Sequence, residues 1–155
     1  MEADSTGLVL LAVWAIGVAV ASALLHECGH ACAARAVGWK VVALRWRWYA
    51  ITLAAEPNER GDEVWKVALG GLCATALLAL GFLAGSVLSG PAELDTLCRV
   101  GFAVNALMLL TNLLPLPPLD GGLVLTGLRE VQSAARAPRS ADAQPAPAVR
   151  GGAGN

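Results

Sequence analysis

Three stretches of this chain run without a charged residue for about the length of a bilayer crossing: Leu8–Leu25, Val67–Leu88 and Val100–Leu119. A helix needs about 20 apolar residues to span the hydrocarbon core, so the pattern predicts three transmembrane helices, over about residues 8–37, 64–88 and 97–119. The first is extended past its apolar run because Ala31, Ala33, Ala34 and Ala36 favour helix, with Gly38 as the stop. Between the first two spans the period changes. From Lys40 to Glu56 apolar and polar residues alternate, with Leu44, Trp46 and Trp48 on one side and Arg45 and Arg47 on the other, which predicts an amphipathic strand or hairpin at headgroup level. Such a ribbon can anchor the fold as an aromatic belt, or offer an edge to an extended substrate, or both.

Pro57 to Asp62 is a polar turn cluster leading into the second span, and Ser89-Gly90-Pro91 closes that span. After Leu119 a short helix over about Leu123–Ser133 is expected. The Ala/Pro/Arg/Gly-rich stretch 133–155 lacks the apolar residues to offset ordering and is expected to be disordered. The expected fold class is therefore an all-α polytopic membrane protein, three transmembrane helices plus a small β hairpin or ribbon at the interface, as one unit over residues 1–132.

Composition supports this reading. The chain is 56% hydrophobic and 15% charged, too apolar for an ordinary soluble domain. A net charge of −1 without a Lys/Arg cluster excludes a nucleic-acid partner and leaves the lipid bilayer as the expected surroundings. The four cysteines form no C-x-x-C pair and predict no disulfide framework. The first apolar run is not a signal peptide in this reading, since Glu2 and Asp4 stand where basic residues would be.

The charge distribution predicts an orientation. No cationic residue precedes the first span. Arg35, Lys40, Arg45, Arg47, Arg60 and Lys66 lie between spans one and two, Arg99 between two and three, and Arg129, Arg136, Arg139 and Arg150 after the third. Ten of the 11 thus fall on one side, which places the N-terminus outside and the C-terminus in the cytoplasm, in the plasma membrane.

At the end of the first apolar run stands His26-Glu27-Cys28-Gly29-His30, and these are the only histidines of the chain. On a helix the two imidazoles lie about 40° apart with a carboxylate beside them, an arrangement that holds zinc and activates its water. Cys28 and Cys32 fall on the far side and are read as packing residues. H-E-x-x-H can arise by accident in a soluble helix, but an ionisable Glu27 at membrane depth is costly unless used. A catalytic zinc needs a third protein ligand. Spans one and three run in the same direction, so Asp120, at the end of span three, is brought to the face that holds His26 and His30. Pro115, Pro117 and Pro118 end the regular helix before it, and Gly121 and Gly122 let the backbone turn and approach closely.

His26-Glu27-x-x-His30 followed by Asn112-x-x-Pro115-x-Pro117-x-Leu119-Asp120-Gly121-Gly122 resembles the site-2 protease family of intramembrane zinc metalloproteases, across about Leu8 to Leu128. The resemblance implies one zinc ion per chain held by His26, His30 and Asp120. It implies Glu27 as the catalytic carboxylate and Asn112 as a polar helper near the substrate or the developing oxyanion. The implied activity is a zinc metalloendopeptidase that hydrolyses peptide bonds within transmembrane segments of membrane-protein substrates, with a regulatory membrane partner as a further expectation. Many members carry a Gly-Pro-x-x-Asn type element in the middle core helix. Here Gly70-Gly71-Leu72-Cys73-Ala74-Thr75 lacks that proline and asparagine, and its glycines are read as serving close helix packing. Asn105 and Asn112, seven residues apart, can also be interhelical glue. Two other classes compete: a catalytically idle zinc-binding scaffold, which would not need Glu27, and a metal transporter, which would spread polar groups along the spans instead of gathering them at one end.

Overall fold

The computed structural model describes residues 5–47, 50–57 and 63–136. Its elements in chain order are α1 (Ser5–Ala36), β1 (Lys40–Arg47), β2 (Ala50–Glu56), α2 (Val64–Leu88), α3 (Ala92–Asn112) and α4 (Asp120–Arg136). The helices α1, α2 and α3 are long and apolar enough to cross a membrane. The expected class, three membrane-spanning helices with a small antiparallel ribbon, is the one observed.

Helix α1 stops where the sequence places its stop. Gly38 takes a φ of 80°, and the amides of Gly38 and Trp39 donate back to the carbonyls of Arg35 and Ala34 at 3.0 and 2.8 Å. Two bonds of this nesting satisfy carbonyls that a helix end otherwise leaves open, and the positive φ is available to glycine without strain. Trp39, the next residue, is thereby folded back and buried.

The third span differs from its sequence reading at both ends. The helix begins at Ala92, with Pro91 as its N-cap, and ends at Asn112 instead of running to Leu119. Pro115 has no amide for an intrahelical bond and disfavours helical backbone at the residue before it, so residues 113–119 form an irregular connection. At the other end Glu93 and Asp95 sit favourably in the first turn, and Arg99 bonds Asp95 one turn back at 2.8 Å. Arg99 therefore lies within α3 and not in the loop before it. The last helix is also longer than expected, Asp120–Arg136 in place of about Leu123–Ser133. The remainder of the expected disordered tail, residues 137–155, lies outside the described residues, as does the turn cluster at 58–62.

Helix α2 packs against α1, α3 and α4. Its contact with α1 uses residues without bulk. A Cβ at Gly29 would meet the Gly70 carbonyl and, at 2.8 Å, the Ala74 methyl; a Cβ at Gly70 would meet Gly29 and, at 2.6 Å, the Ala33 methyl. Gly29/Ala33 and Gly70/Ala74, each pair four apart, thus let two backbones touch, the close approach that drives helix association in lipid. Trp14 ties α1 to α3 through an Nε1–H bond to the Leu97 carbonyl at 3.0 Å.

Burial is inverted relative to a soluble protein. Asn105 and Thr75 are the largest fully buried side chains, and Ser22 and His26 are nearly as enclosed. Leu77 is 70% exposed and Leu10 66%. Leucines facing outward around a polar interior are stable when the surrounding solvent is hydrocarbon.

The ribbon is an antiparallel hairpin whose register pairs Lys40 with Glu56, Val41 with Ala55 and, after a bulge at Val42, Ala43 with Ala54 through to Arg47 with Ala50. The bulge adds one residue to β1 and bends it. Of the expected two-sided pattern, Arg45 is exposed, while Trp48 and Tyr49 and the side chains of Leu44, Trp46 and Arg47 lie outside the described residues.

Candidate metal centre

Four elements position the site. Helix α1 supplies His26 and His30 one turn apart, their rings edge-on with centroids 4.6 Å apart and Nε2 atoms separated by 3.1 Å. The irregular connection after α3 delivers Asp120 as the first residue of α4, and its Oδ2 lies 3.1 Å from His26 Nε2 and 3.4 Å from His30 Nε2. The turn that brings it there is tight. A Cβ at Gly121 would strike the Leu113 and Leu114 main chain, and one at Gly122 would meet the Leu116 carbonyl group at 2.8 Å.

Helix α2 supplies the backing. His26 Nδ1 lies 2.8 Å from the Thr75 hydroxyl, whose own proton goes to the Gly71 carbonyl at 3.1 Å. His30 Nδ1 lies 2.8 Å from the Val67 carbonyl oxygen. Gly71 sits flush against both rings, and a Cβ there would collide with His30 and come within 2.8 Å of His26 Cε1. In the tautomer in which each Nδ1 donates to its oxygen, each neutral imidazole turns a bare Nε2 lone pair toward the other and toward Asp120.

In that tautomer three lone-pair-bearing atoms, two nitrogens and a carboxylate oxygen, converge within 3.4 Å. Asp120 Oδ2 is buried and has no hydrogen-bond partner despite its closeness to both rings, as expected when lone pair faces lone pair. A buried acceptor cluster of this kind is unfavourable unless a positive charge completes it. His26, Glu27 and His30 form a group that could hold a metal ion, with ligand atoms within 4.8 Å of one another. Asp120 is nearer still to the two imidazoles than that limit.

Glu27 is half-buried and opens, with His30 and Asp120, onto a cavity of about 300 Å³. The opposite walls come from Trp39, from Thr52 and Ala55 of β2, from Val64, Val67 and Ala68 of α2, and from Pro118 and Leu123. The hairpin is thus a wall of the cavity in front of the histidines. Asn112 is not among the lining residues; its Nδ2 donates to the Met108 carbonyl of its own helix at 2.9 Å. Asn105, one of the two asparagines read as glue, donates to Gly101 and is fully buried with its Oδ1 unpartnered. Cys28 and Cys32 are free thiols on the exposed side of α1, away from the buried face of His26.

Thr75, Gly71 and the Val67 carbonyl are the contributors that sequence reasoning missed. They follow from the Gly70-Gly71 step: small residues at a helix crossing let the histidine rings lie against α2, and the residue one turn beyond Gly71 is then placed to meet a ring nitrogen. Comparison with known proteins adds no assignment, since neither a family model nor a curated protein matches the chain.

Proposed function

We propose that this chain is an intramembrane zinc metalloendopeptidase that cleaves peptide bonds within transmembrane segments of membrane-protein substrates, as its two motifs imply by their resemblance to site-2 proteases. The observation that carries the proposal is the convergence of His26 Nε2, His30 Nε2 and Asp120 Oδ2 at 3.1–3.4 Å, with both Nδ1 atoms engaged behind them. Ligands about 2.0–2.1 Å from a tetrahedral zinc stand about 3.3 Å from one another, so the donor set fits one zinc ion with a fourth position left for water. Oxygen-preferring calcium or magnesium fits two imidazoles poorly.

Bound there, zinc would supply Lewis acidity and lower the pKa of its water toward about 7. Glu27, beside the histidines and open to the cavity, takes the proton from the attacking water and passes it to the leaving amide nitrogen. The role of Asn112 as polar helper near the substrate or the oxyanion rests on the resemblance alone, since it stands outside the cavity lining and gives one N–H to Met108. Thr52 and Ala55 put β2 at the cavity wall, which supports the hairpin as a guide for an extended substrate segment.

The cationic residues between α1 and α2 and after α3 support a topology with the N-terminus outside and the site opening to cytoplasmic water, for which the plasma membrane is the proposed location. Substrates would then be cut nearer their cytoplasmic ends, and access could be gated by a membrane partner. The deciding experiment is metal analysis of the purified protein. About one equivalent of zinc is expected in the wild type and much less in Asp120→Ala; full retention in that variant would remove Asp120 from the ligand set.

A further inference from the structure

Thr75 is completely buried in the middle of the bundle, in contact with a histidine 49 residues away in sequence. Its hydroxyl has one proton. Two acceptors lie within its reach, the Gly71 carbonyl at 3.1 Å and His26 Nδ1 at 2.8 Å; on the carbonyl one turn back, the acceptor a helical threonine ordinarily uses, it leaves the oxygen only a lone pair to present to Nδ1. A ring nitrogen that meets a lone pair at 2.8 Å must carry the imidazole proton, which leaves Nε2 bare. We propose that Thr75 is a positioning residue that locks His26 in the Nδ1–H tautomer and aims its Nε2 lone pair into the space shared with His30 and Asp120. The proposal deepens the metal-site reading and rests on it for its consequence, though not for the tautomer itself.

His30 is held by a different device. Its Nδ1 faces the Val67 carbonyl, a main-chain oxygen with no proton to give, so its tautomer does not depend on any side chain of α2. The tautomer of His26 alone is set by a replaceable group. The hydroxyl also fixes the ring plane, because the Thr75 oxygen is itself anchored by its bond to Gly71 one turn back on the same helix. Valine at this position keeps the volume and loses both functions. Serine keeps the hydroxyl and loses only the methyl group.

The chain has two histidines, so histidine labelled with nitrogen-15 reports on these two rings and nothing else. The test uses full-length protein reconstituted in bilayers, as wild type, Thr75→Ser, Thr75→Val and Thr75→Ala. Ring nitrogen shifts are read after chelator treatment at a pH high enough to keep both imidazoles neutral, because the metal-free cluster beside Asp120 otherwise takes up a proton, and zinc affinity is read by competition with a chromophoric chelator. Wild type and Thr75→Ser should show both Nδ1 atoms protonated and both Nε2 atoms bare. In Thr75→Val and Thr75→Ala, His26 should populate both tautomers while His30 stays unchanged, and zinc affinity should fall about 10–100-fold. An unchanged His26 tautomer in Thr75→Val and Thr75→Ala would overturn the proposal. So would a Thr75→Ser protein that loses as much affinity as Thr75→Ala, because packing of the methyl group would then be the cause. If wild type binds no zinc while the His26 tautomer still follows the hydroxyl, the lock stands and the metal reading fails.

Discussion

The two halves of α1 differ in composition and in what they bury: the first is rich in Leu, Val and Ile, and the second carries His26, Glu27, His30 and Arg35 among alanines. In the first half Leu8, Leu10, Val13 and Ile16 are all more than half exposed, and the less exposed Trp14 makes its cross-helix bond to α3. From Val18 onward a stripe recurring every four residues, Val18, Ser22 and His26, turns inward, and Ala34 continues it beyond His30. The difference lies in what the neighbouring helix offers. Against the second half, Gly70, Gly71 and Ala74 of α2 leave room for backbone contact and for two imidazole rings. Hydrophobicity does not select the buried face in a bilayer, because lipid receives leucine as well as protein does; small residues and polar partners select it.

The largest expected effect tests whether the second half is built for chemistry beyond packing. Glu27→Gln should keep zinc and lose proteolysis by about 10²–10⁴-fold, the range for removal of a general base, measured on a reconstituted membrane substrate against zinc content. Unchanged cleavage would move the chemistry to another residue. Gly71→Val comes next. A side chain there has no space beside His30 and His26, so zinc affinity should drop more than tenfold and stability by about 1–3 kcal/mol, the usual cost of overpacking. Wild-type affinity in that variant would mean that the rings do not rest on α2. A smaller effect is expected of Arg45→Pro, in β1 opposite Thr52, where a lost amide should lower cleavage more than expression or zinc content if the hairpin guides substrate. Equal losses would leave the hairpin as an anchor. The smallest effect belongs to the outer surface: Leu80→Val, at a side chain 60% exposed, should change thermal stability by under about 0.5 kcal/mol.

The elements legible in the sequence are those governed by local rules. Uncharged runs mark the spans, Gly38 marks the end of α1, and period-two alternation marks the hairpin, since each is a property of neighbours along the chain. The end of α3 was misplaced by apolar composition, which continues through Leu116 and Leu119 after Pro115 has already made helix impossible. His26, Glu27 and His30 were legible because one helical turn sets their spacing, and Asp120 because the Pro and Gly residues around it imply a built turn. Thr75 and the Val67 carbonyl were not. Their roles depend on how two helices lie against each other, which is decided by which glycines face which, and a main-chain oxygen leaves no mark in a sequence. The bulge at Val42 is a pairing irregularity that alternation alone does not place.

The histidines and Asp120 lie far apart in the chain, one pair on α1 and the other residue at the start of α4, joined only through the 89 intervening residues that carry the hairpin, α2 and α3. A cation shared by them would therefore work as a clasp on the whole bundle as well as a reagent. Its binding energy would count toward folding, about 4 kcal/mol when the free ion stands a thousandfold above its dissociation constant. Withdrawing it would loosen the tie between Asp120 and α1 first, while α4 keeps its packing on α2. Metal supply to the membrane would then set how much of this protein is folded, before it sets how fast any bond is cut.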